Sequence, residues 1–220
     1  MNLLMTTILT IFCHPLFTYA QETIGELKFN FFFESVDGKL LSGETCDPWP
    51  AQKCDIYLKI CVKSLGEESC ILFDKQTQVW NNTHAGQTAV SFPLKHPIPE
   101  NLEVIVGAWD HNPMSSPDLI ARFRGQLVVA ETPNTASKFK LERDDVRYVN
   151  NFRLDAYVHI ICARFHYGGN CNRKCIPDPE RYACDINGLK KCRRGEALCK
   201  INWSSVFTLT NIGIAQKINV

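Results

Sequence analysis

Ten cysteines after residue 20 constrain this chain more than any other feature of its sequence. Four lie early, at Cys46, Cys54, Cys61 and Cys70, and a gap of 91 residues without cysteine follows. The other six are crowded into 38 residues, at Cys162, Cys171, Cys175, Cys184, Cys192 and Cys199. An even number of cysteines in an exported chain indicates a disulfide framework. This distribution predicts a middle region stabilised by its own core and a tail stabilised by cross-links.

The first twenty residues of the 220-residue chain predict export. They contain no Lys, Arg, Asp or Glu, and the apolar run from Leu3 to Phe12 is too short to span a membrane. Small residues around Ala20 are typical of a cleavage site before Gln21. We therefore expect a signal peptide at residues 1–20, which removes the eleventh cysteine, and a secreted, extracellular protein. No later run of about eighteen apolar residues occurs, so the sequence predicts no membrane anchor.

Apolar residues alternate with polar ones through most of residues 21–160. The clearest runs are "LKFNFFF" from Leu27, "DIYLKICV" from Asp55, "LEVIVGAW" from Leu102 and "FRLDAYVHI" from Phe152. Alternation of β-branched and aromatic residues is typical of half-buried strands, and Asp-Gly and Pro-containing turns separate the runs. The sequence predicts an all-β, two-sheet sandwich. Local bridges Cys46–Cys54 and Cys61–Cys70 are the expectation, although four cysteines allow three pairings.

Two sequons predict N-glycosylation, at Asn81 in "NNTHAGQT" and at Asn202 in "NWS". The first stretch is polar and is predicted to be an exposed loop. The cysteine-rich tail is locally basic, but the whole chain carries a formal net charge of +1. The sequence therefore makes no case for a nucleic-acid partner.

The six tail cysteines allow three interpretations: a disulfide module, a zinc site or a redox dithiol. A segment this small cannot bury enough apolar area to fold alone, and three short bridges would each contribute roughly 2–3 kcal/mol. A zinc site is the second interpretation, because the spacing of Cys171 and Cys175 is within the range of zinc fingers and His166 is near in sequence. Six cysteines overfill one tetrahedral site, however, and secretion disfavours free thiolates. A redox dithiol is disfavoured because no Cys-x-x-Cys occurs. A disulfide module is the favoured interpretation, and no cofactor is expected.

The stretch "CARFHYGGNCNRKCIPDPERYACDINGLKKCRRGEALC" resembles the DSL module of Delta/Serrate-type Notch ligands. The resemblance lies first in the cysteine spacing: the first, second and fourth gaps are eight, three and seven residues long, and the third gap departs from the family pattern. It lies also in the aromatic cluster before Gly168 and in "RYAC" followed by "DINGLKKC". Upstream, "GELKFNFFFESVDGKLLSGETC", "CDIYLKICVKS", "GAWD", "LIARFRGQL" and "LDAYVHIIC" resemble the C2-like N-terminal domain of the same ligands. The resemblance implies four segments: a signal peptide (1–20), a C2-like sandwich (21–160), a DSL module (161–200) and a tail (201–220).

The same resemblance implies bridges Cys162–Cys171, Cys175–Cys184 and Cys192–Cys199. It also implies that the module and the sandwich tip bind EGF-like repeats of a Notch-type receptor. In the first loop the candidate contacts are Phe165, His166 and Tyr167. In the second loop they are Ile176, Asp178, Glu180, Arg181 and Tyr182. The alternative for Phe165 and Tyr167 is that both rings fill the small core of the module.

Two departures from the family qualify this expectation. The Cys175–Cys184 loop is three residues shorter than the family pattern and lacks its Arg-rich start and exposed Phe, which bears on receptor choice. EGF repeats and a membrane span do not follow Cys199. A soluble ligand cannot pull on its receptor alone, so the sequence leaves open a co-ligand beside a membrane-tethered partner, a diffusible agonist or a competitive antagonist.

The sequence gives weaker support to other functions. No Gly-x-Ser-x-Gly, His-Glu-x-x-His or Gly-rich phosphate loop is present, so an enzyme is not expected. A secreted cysteine-rich inhibitor would need only the tail. A C2-like sandwich also raises calcium or membrane-lipid contact, with Asp110, His111, Asn112 and Asp118 as candidate ligands, although ordinary turn chemistry explains the same residues.

Overall fold

The structure, a computed structural model, describes residues 22–47, 53–129, 136–144 and 150–192. Fourteen strands and no helix occur among these residues, so the described chain is all-β. The predicted signal peptide and the 201–220 tail lie outside the described residues. Within the described ranges, no helix has the length and hydropathy needed to cross a bilayer.

Long strands form the scaffold and short ones complete it. The long strands are β1 (Gly25–Ser35), β2 (Cys54–Ser64), β5 (Ala85–Leu94), β6 (Asn101–Asp110), β7 (Asp118–Val128) and β10 (Phe152–Cys162). The short strands of the same region are β3 (Phe73–Gln76), β4 (Trp80–Thr83), β8 (Ser137–Phe139) and β9 (Glu142–Arg143). After Cys162 come β11 (His166–Tyr167), β12 (Arg173–Lys174), β13 (Tyr182–Cys184) and β14 (Lys190–Cys192).

These strands form two larger sheets and two small hairpins. The four-stranded sheet has the order β5-β1-β10-β8, and the six-stranded sheet has the order β3-β2-β6-β7-β9, with β4 also paired to β2. All of these pairings are antiparallel. The pairs β11–β12 and β13–β14 stand apart from both sheets. The chain therefore has a C2-like sandwich followed by a small disulfide-rich module, which is the fold class predicted from the sequence.

The core lies between the two sheets and is built from the alternating residues of the four predicted runs. The inward set of β1 is Leu27, Phe29, Phe31 and Phe33, and every member is nearly or fully buried. The corresponding apolar sets of β2, β6 and β10 are also buried and belong to the same cluster. Burying one such side chain contributes roughly 1.5–3 kcal/mol. The period-two prediction is confirmed for all four runs.

The stretch from Asn81 to Thr88 is a correction to the sequence analysis. It was predicted to be a loop, but Asn81 belongs to β4 and Ala85 begins β5. The polar composition hid these strands because β4 is an edge strand and the first residues of β5 are largely exposed. Asn82, between the two sequon positions Asn81 and Thr83, has a φ of 48°, which turns the chain at the crossing between sheets.

Two bridges cross-link the early part of the sandwich. The structure pairs Cys46 with Cys54 and Cys61 with Cys70, the local pairings expected above. Cys54 is fully buried and belongs to the core, whereas Cys70 is exposed. These bridges therefore hold the first residue of β2 and a residue in its second half to the loops on either side.

Candidate receptor-binding surface

The disulfide module begins where β10 ends, and its first bridge packs into the sandwich core. Cys162 pairs with Cys171, and Cys171 is fully buried within the core cluster. A Cβ on Gly25 would lie 2.7 Å from the Cys171 Sγ and 2.8 Å from the Ile161 carbonyl oxygen. Glycine at the start of β1 therefore permits the close approach of the bridge.

Two further contacts join the module to the segment before β1. The Ala163 N–H donates to the Ile24 carbonyl oxygen at 2.9 Å. The Lys174 Nζ lies 2.8 Å from the Glu22 carboxylate, and this hydrogen bond lowers the pKa of Glu22. Both side chains of the ion pair are exposed, so it adds little to stability. Together with the buried bridge, these contacts set the direction in which the module leaves the sandwich.

The first loop of the module holds Phe165 in an unusual backbone conformation. Phe165 has a φ of 68°, which is rare for a bulky side chain and carries a conformational cost. Its carbonyl oxygen accepts the Cys175 N–H at 2.9 Å. The Arg164 guanidinium lies 4.6 Å from the centre of the Phe165 ring, within cation–π range. The loop thus holds a half-buried aromatic ring with a cation over it.

The other two first-loop candidates are packed inside the module. His166 is buried, its N–H donates to the Ala163 carbonyl at 2.9 Å, and its Nδ1 lies 3.3 Å from the Arg164 carbonyl oxygen. A Cβ on Gly188 would lie only 2.7 Å from the Tyr167 Cβ, so Tyr167 packs directly on the backbone of the following hairpin. These contacts give both side chains a structural role, the alternative weighed above for Tyr167. Their contact with a receptor stays a prediction.

The second loop is closed by Cys175–Cys184 and shaped by Asp178. The Asp178 carboxylate accepts the N–H groups of Glu180 at 3.0 Å and Arg181 at 3.2 Å, as expected of an Asx turn. Backbone hydrogen bonds of 3.1 Å run in both directions between Asp178 and Tyr182. The loop is therefore a tight turn, and the Asp178 side chain is used within it.

Ile176, Glu180 and Arg181 point outward from the second loop. The Ile176 side chain is 54% exposed, and Glu180 and Arg181 are also exposed. Tyr182 is half-buried, with the Lys190 Nζ 4.5 Å from its ring centre. Among the second-loop candidates, Asp178 therefore shapes the turn, and Tyr182 has a cation over its ring. The other three, Ile176, Glu180 and Arg181, face outward.

The two loops meet at the hydrogen bond between Phe165 and Cys175. Because Ile176 follows Cys175, this bond places the backbone of Ile176 next to that of Phe165. Sequence reasoning missed Arg164 and Lys190, the two cations stacked on candidate rings. Arg164 has a local signal, since it precedes the aromatic, whereas the pairing of Lys190 with Tyr182 depends on the hairpin. We define Arg164, Phe165, Ile176, Glu180 and Arg181 as the module surface.

The stretch "ACDINGLKKC" forms the β13–β14 hairpin between Cys184 and Cys192. The Asp185 carboxylate accepts the N–H groups of Asn187 at 3.0 Å and Leu189 at 2.8 Å, and Gly188 has a φ of 74°. This geometry explains the Asn-Gly pair, because the turn requires a residue with positive φ. Cys192 is disulfide-bonded, and its expected partner Cys199 lies outside the described residues.

At the far end of β6, Asp110 is buried with only one carboxylate oxygen satisfied. One oxygen accepts the Asp55 N–H at 2.7 Å, and the other is buried without a partner. Burial, with added repulsion from Asp47, Asp55 and Asp118, raises the Asp110 pKa to about 6. The Asp110 carboxylate also lies within 4.8 Å of the Cys46 and Cys54 sulfurs, which cannot act as thiolate ligands while they are bonded to each other.

The other candidates for a cation site at this tip have partners of their own. The Asn112 side-chain amide donates to the Asp118 carboxylate at 2.9 Å, and the His111 N–H donates to the Asp55 carbonyl at 2.8 Å. The Asn112 amide also donates to the Ser116 carbonyl at 3.4 Å, which is the local turn chemistry named above as the alternative to calcium. Calcium or lipid contact at the tip therefore stays an expectation.

The sequon asparagine within the described residues is accessible. Asn81 is exposed on β4 in the six-stranded sheet, away from the module. Glycosylation at Asn81 stays a prediction, and Asn202 lies outside the described residues.

Comparison with known proteins agrees with this architecture. No family model matches the chain. Over 76% of its length the chain is 24% identical to mouse protein jagged-2, of which it covers 17%. It therefore spans about a sixth of the length of this curated relative. The structure of Drosophila C2-DSL-EGF1 superposes on 78% of the chain with a TM-score of 0.58 and 20% sequence identity, and 83% of that structure is covered.

The fold and the spacing of its bridges therefore define a C2-DSL fragment. The sequence similarity to jagged-2, at 24% identity, agrees with the resemblance to Delta/Serrate-type ligands noted from the sequence.

Proposed function

We propose that this protein is a secreted ligand that binds EGF-like repeats of a Notch-type receptor and modulates Notch signalling. One observation carries the proposal: the chain has a C2-DSL fold in which the first bridge of the module is buried in the sandwich core, and the Phe165 carbonyl accepts the N–H of Cys175, the residue before the exposed Ile176. Residues 1–20 serve as the signal peptide, residues 21–160 as the sandwich, residues 161–200 as the module and residues 201–220 as a tail.

The module surface has the composition of a small protein-binding site. Phe165 and Ile176 supply apolar area on loops closed by short bridges, so little side-chain and loop freedom is lost on binding. Arg164, Glu180 and Arg181 supply a charged rim that sets register and association rate. His166, Tyr167 and Asp178 support the loops from within, and Tyr182 contributes the edge of its ring.

The sandwich tip supplies a second contact in this proposal. A partner built of consecutive EGF-like repeats is elongated, and the sandwich strands are about 35 Å long at about 3.3 Å per residue. The module is attached at one end of these strands and the tip lies at the other end. An elongated partner that lies along the strands can therefore contact both. Lipid contact at the same tip is a weaker element of the proposal.

Capture of receptor fragments tests this proposal. Immobilised EGF-repeat fragments of a Notch-type receptor should retain the purified secreted protein. Ile176→Ala should weaken the retention about ten-fold, a loss of about 1.4 kcal/mol. Ile186→Ala is the matched control, because Ile186 is 80% exposed on the β13–β14 turn, outside the module surface. Equal weakening by both substitutions would refute a specific role for the second loop.

A reporter assay separates the remaining alternatives. Soluble protein added to receptor-bearing cells, with and without a cell-tethered ligand, should increase signalling if it acts as a co-ligand or a diffusible agonist. A fall in signalling beside the tethered ligand would make it an antagonist. Absence of any effect, together with absence of capture, would favour a secreted inhibitor unrelated to this pathway.

A further inference from the structure

No element within the described ranges covers the outer face of the four-stranded sheet along its three long strands, β5, β1 and β10. Inward residues of these strands fill the core, so the alternate residues point away from it. The outward residues of β1 and β10 are Glu26, Lys28, Asn30, Phe32, Glu34, Arg153, Asp155, Tyr157, His159 and Ile161. Those of β5 are Ala85, Gln87, Ala89, Ser91 and Pro93.

An aromatic ridge stands at the centre of this face. Phe32 is 43% exposed and Tyr157 is 36% exposed. Their rings meet edge to face, with centroids 5.9 Å apart and an interplanar angle of 86°. A shallow groove of about 440 Å³ lies against them, lined also by Asn30, Ala136 and Asp155. Paired exposed aromatics of this kind are typical of binding surfaces.

A flat shelf lies directly beside the ridge. Strand β5 is the edge of the sheet and pairs with β1, so Gln87 is opposite Phe32 and Ala89 is opposite Asn30. All five outward residues of β5 are uncharged, and four of them, Ala85, Ala89, Ser91 and Pro93, are small. The face therefore has a raised half on β1 and β10 and a low half of comparable length on β5. Such a face is self-complementary in shape.

The charges of the face also suit a second copy. Outward residues of the four strands include three acids, Glu26, Glu34 and Asp155, and three bases, Lys28, Lys138 and Arg153. The Lys138 Nζ lies 2.9 Å from the Asp155 carboxylate, and an Arg153 nitrogen lies 3.9 Å from Glu34. A face whose acids and bases balance in number does not select a charged partner and does not repel its own copy.

We propose that this face is the interface of a reversible homodimer, in which the Phe32–Tyr157 ridge of each copy lies on the β5 shelf of the other. A two-fold axis makes both contacts at once, because the same patch serves on each side. Three strands about 4.8 Å apart and about 35 Å long present about 500 Å² per copy, at the low end of specific interfaces. The dimer is therefore weak, with a dissociation constant on the order of 10–100 μM.

Two features of the described residues are compatible with a second copy on this face. The sequon residue Asn81 lies on β4, which pairs with β2 in the other sheet, so a glycan there would not cover the ridge. The module surface is built on loops beyond Cys162 and is separate from the ridge at the middle of β1 and β10. A dimer would carry two modules and would raise apparent affinity for clustered receptors through effective concentration.

Sedimentation velocity of the secreted protein tests the dimer over concentrations from about 1 to about 500 μM. The wild type should shift from monomer to dimer. Ala89→Arg should raise the dissociation constant at least ten-fold, because it places an unpaired charge on both shelves while altering only an exposed position. A Phe32→Ser, Tyr157→Ser double variant should do the same. Ile186→Ser removes comparable exposed apolar area elsewhere and should leave the dissociation constant unchanged.

Circular dichroism and thermal melting establish that each variant is folded. A wild type that stays monomeric throughout the range would overturn the proposal. So would a dimer that persists in folded Ala89→Arg protein, or one weakened as much by Ile186→Ser as by the two face variants. None of these results depends on receptor binding, so the dimer and the proposed function can fail separately.

Discussion

Phe165 combines backbone strain with a partly exposed aromatic ring. Among the described residues, the non-glycine positions with positive φ are Asn82, Phe165 and Cys171, and two of these lie in the first loop of the module. A strained bulky residue persists only where its surroundings impose the conformation, and such positions cluster at binding sites. The bridge Cys162–Cys171 and the hydrogen bond to Cys175 impose it here.

Replacing Phe165 should therefore separate stability from binding. Phe165→Gly removes the left-handed strain, worth roughly 1–2 kcal/mol, against a glycine entropy cost of roughly 0.5–1 kcal/mol. We expect thermal stability to be unchanged or slightly raised while receptor capture falls at least ten-fold. Phe165→Ala should lose the same binding without gaining stability. A large loss of stability in Phe165→Gly would show that the ring serves the module core instead.

Asp110 contributes to the stability of the fold in a way that depends on pH. Its folded pKa is about 6, above the ordinary value of 3.8, so the folded state binds a proton that the unfolded state has released. The stabilisation is fully present below about pH 4 and is lost as pH rises through 6. The associated fall in unfolding free energy is roughly 2–3 kcal/mol at most.

Asp110→Asn should remove this fall in unfolding free energy as pH rises through 6. An asparagine imitates the protonated carboxyl, and its carbonyl can still accept the Asp55 N–H. Denaturant unfolding at pH 4, 5, 6 and 7 should show a decline for the wild type that is absent from the variant. Parallel profiles for the two proteins would contradict the assignment.

At the scale of elements, the junction between β1 and the first bridge fixes the module. Gly25→Ala should cost about 2 kcal/mol or more, because the new Cβ meets a sulfur at 2.7 Å and a backbone oxygen at 2.8 Å. Hydrogen exchange should accelerate at the amides of Ala163 and Cys175, and receptor capture should weaken. Gly66→Ala is the control, since its Cβ would meet nothing within 4 Å and only its φ of 90° is unfavourable.

A melting temperature and exchange pattern for Gly25→Ala that match those of the control would contradict this account. The module would then be docked by something other than the close approach at Gly25.

The long core strands were predictable from sequence because each keeps one apolar face against the other sheet. The Phe-rich face of β1 and the Val and Ile faces of β2 and β6 show this directly. Strand β4 and the first residues of β5 were not, since Asn81, Asn82 and Gln87 are exposed and give no apolar alternation. Their strand conformation comes from pairing with β2 and β1. Edge pairing leaves little trace in a single sequence.

The candidate site was predictable only in part, for a similar reason. Cysteine spacing located both module loops, and aromatic composition indicated Phe165. The buried state of His166, the packing of Tyr167 on Gly188 and the use of Asp178 within its turn depend on contacts between separate loops. Residue type alone does not distinguish a ring that packs inward from one that binds a partner.

At the scale of the whole molecule, the sandwich and the module share one core through Cys171. The four bridges between described cysteines join residues eight or nine positions apart, so none of them links the early group to the late one. The long-range order therefore comes from strand pairing and apolar packing. The bridges rigidify loops that present the module surface on this scaffold.

Direct binding between the purified protein and EGF-repeat fragments of a Notch-type receptor, measured by biolayer interferometry, tests the central claim most directly. The account predicts saturable binding by the wild type, at least ten-fold weaker binding by Phe165→Ala, and unchanged binding by Ile186→Ala. Folded, fully oxidised wild-type protein that shows no saturable binding to any fragment at about 100 μM, a concentration that would detect a free energy as weak as about −5.5 kcal/mol, would contradict it.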